Sequence, residues 1–115
     1  LHQPLFDEVW AALFSLRGHW HERQFRNQNP ITLELGCGRG EYSVALAAAS
    51  PQENFVGMDI KGARLWVGAK GAQGAGLTNV AFVRGRIETL LSFFAWRGRS
   101  SVAHLPRPST QGTAR

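Results

Sequence analysis

The chain of 115 residues contains a single cysteine, Cys37, and no apolar run long enough to cross a bilayer. One cysteine excludes an internal disulfide, so the sequence does not describe a disulfide-stapled secreted domain and fits a reducing cytoplasm. The length allows at most one small domain. The chain starts at Leu1 without an initiator Met or a signal-like segment, and we expect it to begin inside a longer protein.

Acidic residues are also scarce, and they are unevenly distributed. Residues 1–94 contain nine Lys and Arg residues and all eight acids, so this part of the chain is nearly neutral. The last 21 residues add four arginines and no acid. A basic excess indicates nucleic-acid binding, but here the excess belongs mostly to the C-terminal tail.

Three segments divide the chain by composition. In residues 4–16 apolar side chains recur at helical spacing, with Asp7 and Glu8 in the first turn, which predicts a helix. The polar residues that follow are read as an irregular connector that folds over the site. We therefore assign 1–28 to a helix and connector, 29–94 to a ligand-binding half domain, and 95–115 to an irregular basic tail.

From residue 31 onward, short apolar runs alternate with helical patterns. The apolar runs predict three strands, at Ile31–Leu35, Asn54–Asp59 and Val80–Val83. Helices are predicted after each strand, at Glu41–Ala49, Ala63–Ala75 and Ile87–Phe94. This alternation indicates an α/β fold, the N-terminal half of a Rossmann-like doubly wound sheet with three parallel strands in the order 3-2-1 and flanking helices.

The most informative pattern is the glycine turn Glu34-Leu35-Gly36-Cys37-Gly38-Arg39-Gly40, directly after the first predicted strand. Gly36 and Gly38 permit a sharp turn and close approach of a ligand to the backbone. The dinucleotide fingerprint has two residues between its second and third glycines, whereas this turn has one. A plain strand–helix turn with incidental glycines is the alternative.

Two acidic residues near this turn indicate that its ligand is S-adenosylmethionine. Glu34 stands two residues before the first glycine, at the tip of the first strand, where its carboxylate lies near the cationic end of that cofactor. Asp59 ends the second strand, where a carboxylate can accept hydrogen bonds from both ribose hydroxyls. The sequence therefore predicts a cofactor site formed by Glu34, Gly36, Gly38 and Asp59.

Other reactive residue types support no second site. Cys37 has no base nearby in the sequence and sits between glycines, so it is interpreted as a small packing residue rather than a nucleophile. The four histidines lack metal-ligand spacing, and no metal site is predicted. Trp10 and Trp66 are predicted to be core residues, and Trp20 is expected to pack against the sheet rather than stack on a base.

A group of basic residues clusters near the predicted strand ends and has two interpretations. It either contacts RNA phosphates or forms a solvated rim around the sheet. Its members are Lys61, Arg64, Lys70, Arg84 and Arg86.

Over about residues 13–94 the sequence resembles the tRNA guanine-N7 methyltransferases. The similar stretches are 29–31, 33–42, 55–66 and 76–82. The resemblance implies methyl transfer from S-adenosylmethionine to N7 of a guanine in tRNA, with tRNA as partner, in the cytoplasm. It implies that Glu34 and Asp59 are cofactor residues. The family has Asp or Asn after the third strand, but this chain has Arg86, so backbone groups of Arg86 and Ile87 are the implied adenine contacts.

The family continues with a fourth strand that ends in Thr-Phe-Pro-Asp-Pro beside the target guanine, and this chain has no such stretch. If His104–Pro108 and the following serine are encoded CAC CTT CCC CGA CCC TCA, a shift of one base restores that pentapeptide. We therefore predict that the chain after about Ala95 is translated out of frame, which the gene's nucleotide sequence decides. No catalytic residue is assigned, and we expect poor solubility and no methyl transfer from the chain as written.

Two other functions stay open at this point. The first is a methyltransferase of the same fold that methylates another acceptor. Methylation mapping with the frame-restored protein would separate it from a tRNA guanine-N7 methyltransferase. The second is a non-catalytic nucleotide- or RNA-binding module that uses the basic tail, for which removal of residues 96–115 abolishes RNA binding. The sequence leaves the oligomeric state undetermined.

Overall fold

A computed structural model describes residues 2–8 and 10–94 of the chain. The strands are β1 at Leu5–Asp7, β2 at Ile31–Leu35, β3 at Asn54–Asp59 and β4 at Val80–Arg84. The α-helices are α1 at Ala11–Ser15, α2 at Glu41–Ala49, α3 at Gly62–Gly74 and α4 at Ile87–Leu90. A π-helical segment spans Trp20–Phe25, and a 3-10 turn spans Leu91–Phe94. The predicted out-of-frame tail lies outside the described residues.

The strands form one parallel sheet in the order β1-β4-β3-β2. β2 pairs with β3 from Ile31↔Asn54 to Leu35↔Met58, and β3 pairs with β4 from Phe55↔Val80 to Asp59↔Arg84. Helices bury both faces of this sheet, which is why its strands read as continuous apolar runs. The predicted parallel α/β fold is confirmed, and β4, β3 and β2 have the predicted order.

The predicted number of strands is wrong, because the structure has four. Residues 4–16 do not form one helix: Leu5–Asp7 is a strand parallel to β4, and α1 begins only at Ala11. The backbone of β4 explains this outcome, since its outer edge needs partners: the N–H of Phe82 donates to the carbonyl of Pro4 at 2.7 Å. Sheet pairing and burial of Phe6, which is 3% exposed, outweigh the local helical period.

Two hydrophobic clusters lie on opposite faces of the sheet. On one face α2 and α3 cover alternate residues of the strands, and the buried set is Ala47, Phe55, Leu65, Ala69, Ala72, Val80 and Phe82. On the other face α1, the π-helical segment and the C-terminal turn pack on the strands. The buried set there is Phe6, Leu13, Leu16, Trp20, Phe25, Ile31, Leu33, Val56, Met58, Ala81, Val83, Leu90, Phe93 and Phe94. The same sheet is thus covered on both sides.

The segment predicted as an irregular connector contributes to this second cluster. Trp20 and Phe25 of the π-helical segment are buried. The indole N–H of Trp20 donates to the carbonyl of Phe93 at 3.1 Å, and its ring stacks on Phe94 with centroids 4.5 Å apart. Trp20 therefore packs against the sheet, as expected, and its ring is not presented to a base.

Two other aromatic predictions are wrong, because Trp10 and Trp66 are 44% and 52% exposed. Trp10 precedes α1, so the helical face predicted for it does not exist. The buried face of α3 is formed by Leu65, Gly68, Ala69 and Ala72, which turns Trp66 outward. There the ammonium of Lys70 lies 5.1 Å from the Trp66 ring centroid, a cation–π contact.

β2 is an edge strand within the described part of the chain. The Oγ1 atom of Thr32 on this strand is buried and has no hydrogen-bond partner among the described residues. An open edge of a sheet presents backbone groups that can pair with another strand. Across residues 2–8 and 10–94, no helix has the length and apolar character needed to cross a membrane.

Candidate functional site

The glycine turn joins β2 to α2 and is fixed to the neighbouring strand. Gly36 and Gly38 have φ angles of 70° and 61°, in the left-handed region that favours glycine. The N–H groups of Gly36 and Cys37 donate to the carbonyl of Met58 at 2.7 and 3.0 Å. A Cβ atom built on Gly36 would meet no heavy atom within 4 Å, so this side of the turn is open to a ligand.

Three glycines let the Phe82 ring of β4 pack under the turn. A Cβ atom would lie 2.5 Å from this ring at Gly40, 2.9 Å from it at Gly57 and 2.9 Å from it at Gly68. At Gly68 of α3 it would also lie 2.7 Å from the backbone oxygen of Arg39. The lack of side chains at these positions therefore sets how closely α3 approaches the turn.

Asp59, at the end of β3, is held by backbone donors. Its Oδ2 accepts the N–H of Gly38 at 2.8 Å, and its Oδ1 accepts the N–H groups of Ile60 at 2.7 Å and Lys61 at 3.1 Å. Burial alone raises the pKa of Asp59, but these three N–H groups and the charge of Arg64 outweigh burial and hold it below the usual value. The carboxylate is therefore ionised at neutral pH and ties the glycine turn to β3.

Glu34 lies one strand away, near the end of β2. Its carboxylate accepts a hydrogen bond from the hydroxyl of Ser43, a side chain of α2 that is 1% exposed. Glu34 pairs in register with Gly57, two residues before Asp59. The structure thus brings Glu34 and Asp59 to adjacent strands at the carboxyl edge of the sheet, beside the glycine turn.

Cys37 lies between these two acids. Burial, followed by the negative charges of Glu34 and Asp59, raises the pKa of its thiol far above the usual value. The thiol stays protonated at neutral pH and is a poor nucleophile. Its sulfur lies 2.8 Å from the position of a Cβ on Gly57, so it fills the space left by that glycine.

The structure separates the basic residues that the sequence grouped together. The guanidinium Nη2 of Arg64 lies 3.4 Å from the Cβ position of Gly38, directly over the turn. Arg84 pairs with Asp7 at 2.7 Å, at the tips of β4 and β1. Lys70 lies on the outer face of α3, over an indole ring. Only part of the group therefore borders the glycine turn.

The two backbone positions implied for adenine follow β4. The N–H of Arg86 donates to Oε1 of Glu8 at 3.3 Å. The carbonyl of Arg86 accepts the N–H groups of Thr89 and Leu90 at 3.0 and 2.9 Å. That carbonyl is therefore used within the following turn, and an adenine contact at Arg86 or Ile87 stays a prediction.

Sequence reasoning missed two side chains of this region. Ser43 orients Glu34, and its signal is a small hydroxyl side chain in the first turn of α2, directly before the apolar run 44–49. Glu8 reaches the end of β4, and it becomes visible only if residues 5–7 are read as a strand. Among the described residues, no group of three or more His, Cys, Asp or Glu side chains is arranged to hold a metal ion.

Comparison with known proteins gives consistent matches. Residues 28–103 match the model of a family described as "Putative methyltransferase". A tRNA (guanine-N(7)-)-methyltransferase of Christiangramia forsetii is 54% identical over 100 residues, which cover 87% of this chain and 45% of that protein. One of Porphyromonas gingivalis is 58% identical over 82 residues, covering 71% of this chain and 34% of that protein.

The chain therefore spans less than half the length of these relatives. Among solved structures, PKMT2 from Rickettsia typhi in complex with AdoHcy has a TM-score of 0.52 at 20% identity. That similarity covers 88% of this chain and 20% of the other, and it concerns the fold alone.

Proposed function

We propose that the chain is the S-adenosylmethionine-binding half of a tRNA guanine-N7 methyltransferase. The chain belongs to the methyltransferase family whose model its residues 28–103 match. The observation that carries this proposal is the 54% identity, over 87% of the chain, to a relative named for that activity. The cytoplasm is the compartment we propose, because the proposed substrate is tRNA.

The hydrogen-bond acceptors at the described site support this proposal. S-adenosylmethionine supplies a methyl group activated by a sulfonium cation. We propose that the ionised Asp59 accepts hydrogen bonds from the ribose hydroxyls and that Glu34, oriented by Ser43, lies near the cationic amino acid end. The open side of Gly36 leaves room for the ligand against the backbone. Ligands of open parallel sheets bind at this carboxyl edge.

The proposed reaction makes modest demands on proton transfer. Guanine N7 has a lone pair and no proton, so its attack on the methyl carbon needs no general base. What the protein must supply is in-line placement of the two reactants and exclusion of water. We propose that the described residues place the cofactor, and we assign no catalytic residue and no guanine-binding residue among them.

The test is methyl transfer to tRNA, with N7-methylguanine detected by chemical cleavage at the modified base. The gene is first sequenced across codons 95–115, and the protein translated in the restored frame is compared with the 115-residue chain. We expect N7 methylation from the frame-restored protein and none from the chain as written. Robust turnover by the chain as written would contradict the proposed division of the protein into cofactor and guanine halves.

The same assay separates the other candidates. Methylation at another position, or of another substrate, would support a related methyltransferase and overturn the guanine-N7 assignment. An RNA-binding module predicts instead that removing residues 96–115 abolishes tRNA binding. We expect that deletion to cause little specific loss of tRNA binding, because the described site lies entirely before residue 95.

A further inference from the structure

The strand that the sequence did not predict brings an acid to the proposed cofactor site. We propose that Glu8, directly after β1, accepts a hydrogen bond from the N6 amino group of the cofactor's adenine and so selects adenine over other bases. This inference rests on the proposed function, because it assumes that S-adenosylmethionine binds at Glu34 and Asp59.

The position of the base follows from the strand order. Glu34 is on β2 and Asp59 is on β3, so the cofactor runs along the carboxyl edge from the first strand to the second. Neighbouring strands are about 4.8 Å apart, and a base attached to a ribose at Asp59 extends by about one strand spacing. Since β4 is the next strand in the sheet, the base reaches the residues after β4, Gly85 and Arg86.

Glu8 is held at that place by three contacts. Its N–H donates to the carbonyl of Arg84 at 2.9 Å, which extends the pairing of β1 with β4. Its Oε1 accepts the N–H of Arg86 at 3.3 Å. The carboxylate crosses Gly85, where a Cβ atom would lie 2.7 Å from Oε1. Asp7, the preceding residue, pairs with Arg84 at 2.7 Å and fixes the tip of β1.

The arrangement is complementary to the edge of adenine. Adenine presents the N6 amino donor next to the N1 acceptor, whereas a 6-oxo purine presents a carbonyl in place of the amino group. An ionised carboxylate has two oxygens that accept hydrogen bonds and no donor, so it fits the amino group at position 6. Because the Arg86 N–H already donates to Oε1 of Glu8, the other carboxylate oxygen, Oε2, accepts from N6. A carbonyl at position 6 would instead meet the negative charge of Glu8, which gives selectivity.

The experiment compares two ligands that differ only in the amino group. Binding of S-adenosylhomocysteine and of its 6-deamino analogue, in which hydrogen replaces N6, is measured by equilibrium dialysis. Wild type, Glu8→Ala and Glu8→Gln are compared with a matched control, Glu22→Ala, which removes an exposed acid of the π-helical segment. The ligand pair isolates the contact from any general effect of a substitution.

We expect wild type and Glu22→Ala to bind the 6-deamino analogue about tenfold more weakly than S-adenosylhomocysteine, the loss of one hydrogen bond to a charged group. Glu8→Ala should bind the two ligands equally, and Glu8→Gln, which keeps a neutral acceptor, should fall between. Equal binding of both ligands by wild type would overturn the inference while leaving the proposed function intact. Undiminished discrimination in Glu8→Ala would do the same. A wild-type chain that binds neither ligand would overturn the proposed function and this inference together.

Discussion

The two acids of the proposed site are fixed by different kinds of partner. Asp59 accepts three backbone N–H groups, one of them from the glycine turn itself. Glu34 instead accepts a hydroxyl from Ser43 on the next helix. Backbone donors move little, so the position of Asp59 is set before a ligand arrives. Such preorganisation raises affinity because less ordering is needed on binding.

The lowered pKa of Asp59 predicts a pH dependence of stability. A carboxyl group whose pKa is lower in the folded than in the unfolded state stabilises the fold above its unfolded pKa, about 3.9. That contribution is lost as the pH falls through the lower, folded value. In urea unfolding, the wild-type free energy should therefore drop more steeply below about pH 4 than that of Asp59→Asn. Parallel pH profiles of the unfolding free energy for the two proteins would contradict this explanation. The control variant is Glu88→Gln, since Glu88 is an exposed acid on α4.

The raised pKa of Cys37 predicts an unreactive thiol. At about pH 8, where an ordinary thiol is partly ionised, iodoacetamide should modify the folded chain at least about tenfold more slowly than the urea-unfolded chain. Cys37→Ala should keep affinity for S-adenosylhomocysteine within about twofold, because the residue only fills space. Equal alkylation rates in the folded and unfolded chains would show that the thiolate forms in the fold, contrary to the structure.

At the scale of elements, the last three strands could be predicted and the first strand could not. β2, β3 and β4 are apolar runs bounded by turn residues, and burial on both faces makes that signal local. β1 has three residues, and its pairing partners lie 77 residues along the chain, as in Leu5↔Phe82. Nothing within residues 4–16 distinguishes such a strand from a helix start. The helical spacing of the apolar residues therefore led to the prediction of a helix there.

The same distinction applies to the site. The glycine turn and Asp59 could be predicted because carboxyl ends of neighbouring parallel strands meet at one edge of the sheet. The contacts of Ser43 and Glu8 depend on how α2 and β1 pack against that edge. Such contacts are set by tertiary packing, and residue spacing carries no sign of them. Trp66 was predicted to be buried and is exposed, because its apolar residue type was taken as evidence of burial.

The close packing of α3 against the glycine turn predicts a selective effect of two alanines. Gly68→Ala places a Cβ atom 2.7 Å from the backbone oxygen of Arg39 and 2.9 Å from Phe82. We expect a loss of about 1–3 kcal/mol in the free energy of unfolding and weaker S-adenosylhomocysteine binding, since the turn is displaced. Gly71→Ala on the same helix meets nothing within 4 Å. It should stabilise the chain by about 0.5–1 kcal/mol.

Urea unfolding of both variants checks this prediction, with binding measured in parallel. Equal stability changes at the two positions would mean that α3 does not press on the turn as described.

At the scale of the whole molecule, the sheet of the described residues ends at β2, and the chain spans 45% of its Christiangramia forsetii relative. An apolar edge strand is a site for pairing with other chains, so we expect concentration-dependent association, measured by light scattering. Leu35→Lys, at the end of β2, should reduce association because charge blocks edge pairing. Val67→Lys is the matched control, since Leu35 and Val67 are 41% and 42% exposed. Equal effects of both lysines would point to general solubility instead.

The central claim is that the carboxyl edge of this sheet holds S-adenosylmethionine through Glu34 and Asp59. Equilibrium dialysis of the labelled cofactor against wild type, Asp59→Asn and Glu34→Gln tests it most directly. We predict saturable binding of one molecule per chain, weakened at least about tenfold in Asp59→Asn, which loses charged hydrogen bonds to the ribose. Glu34→Gln should also bind more weakly. The absence of saturable binding to wild type, or equal affinity in all three proteins, would contradict the claim.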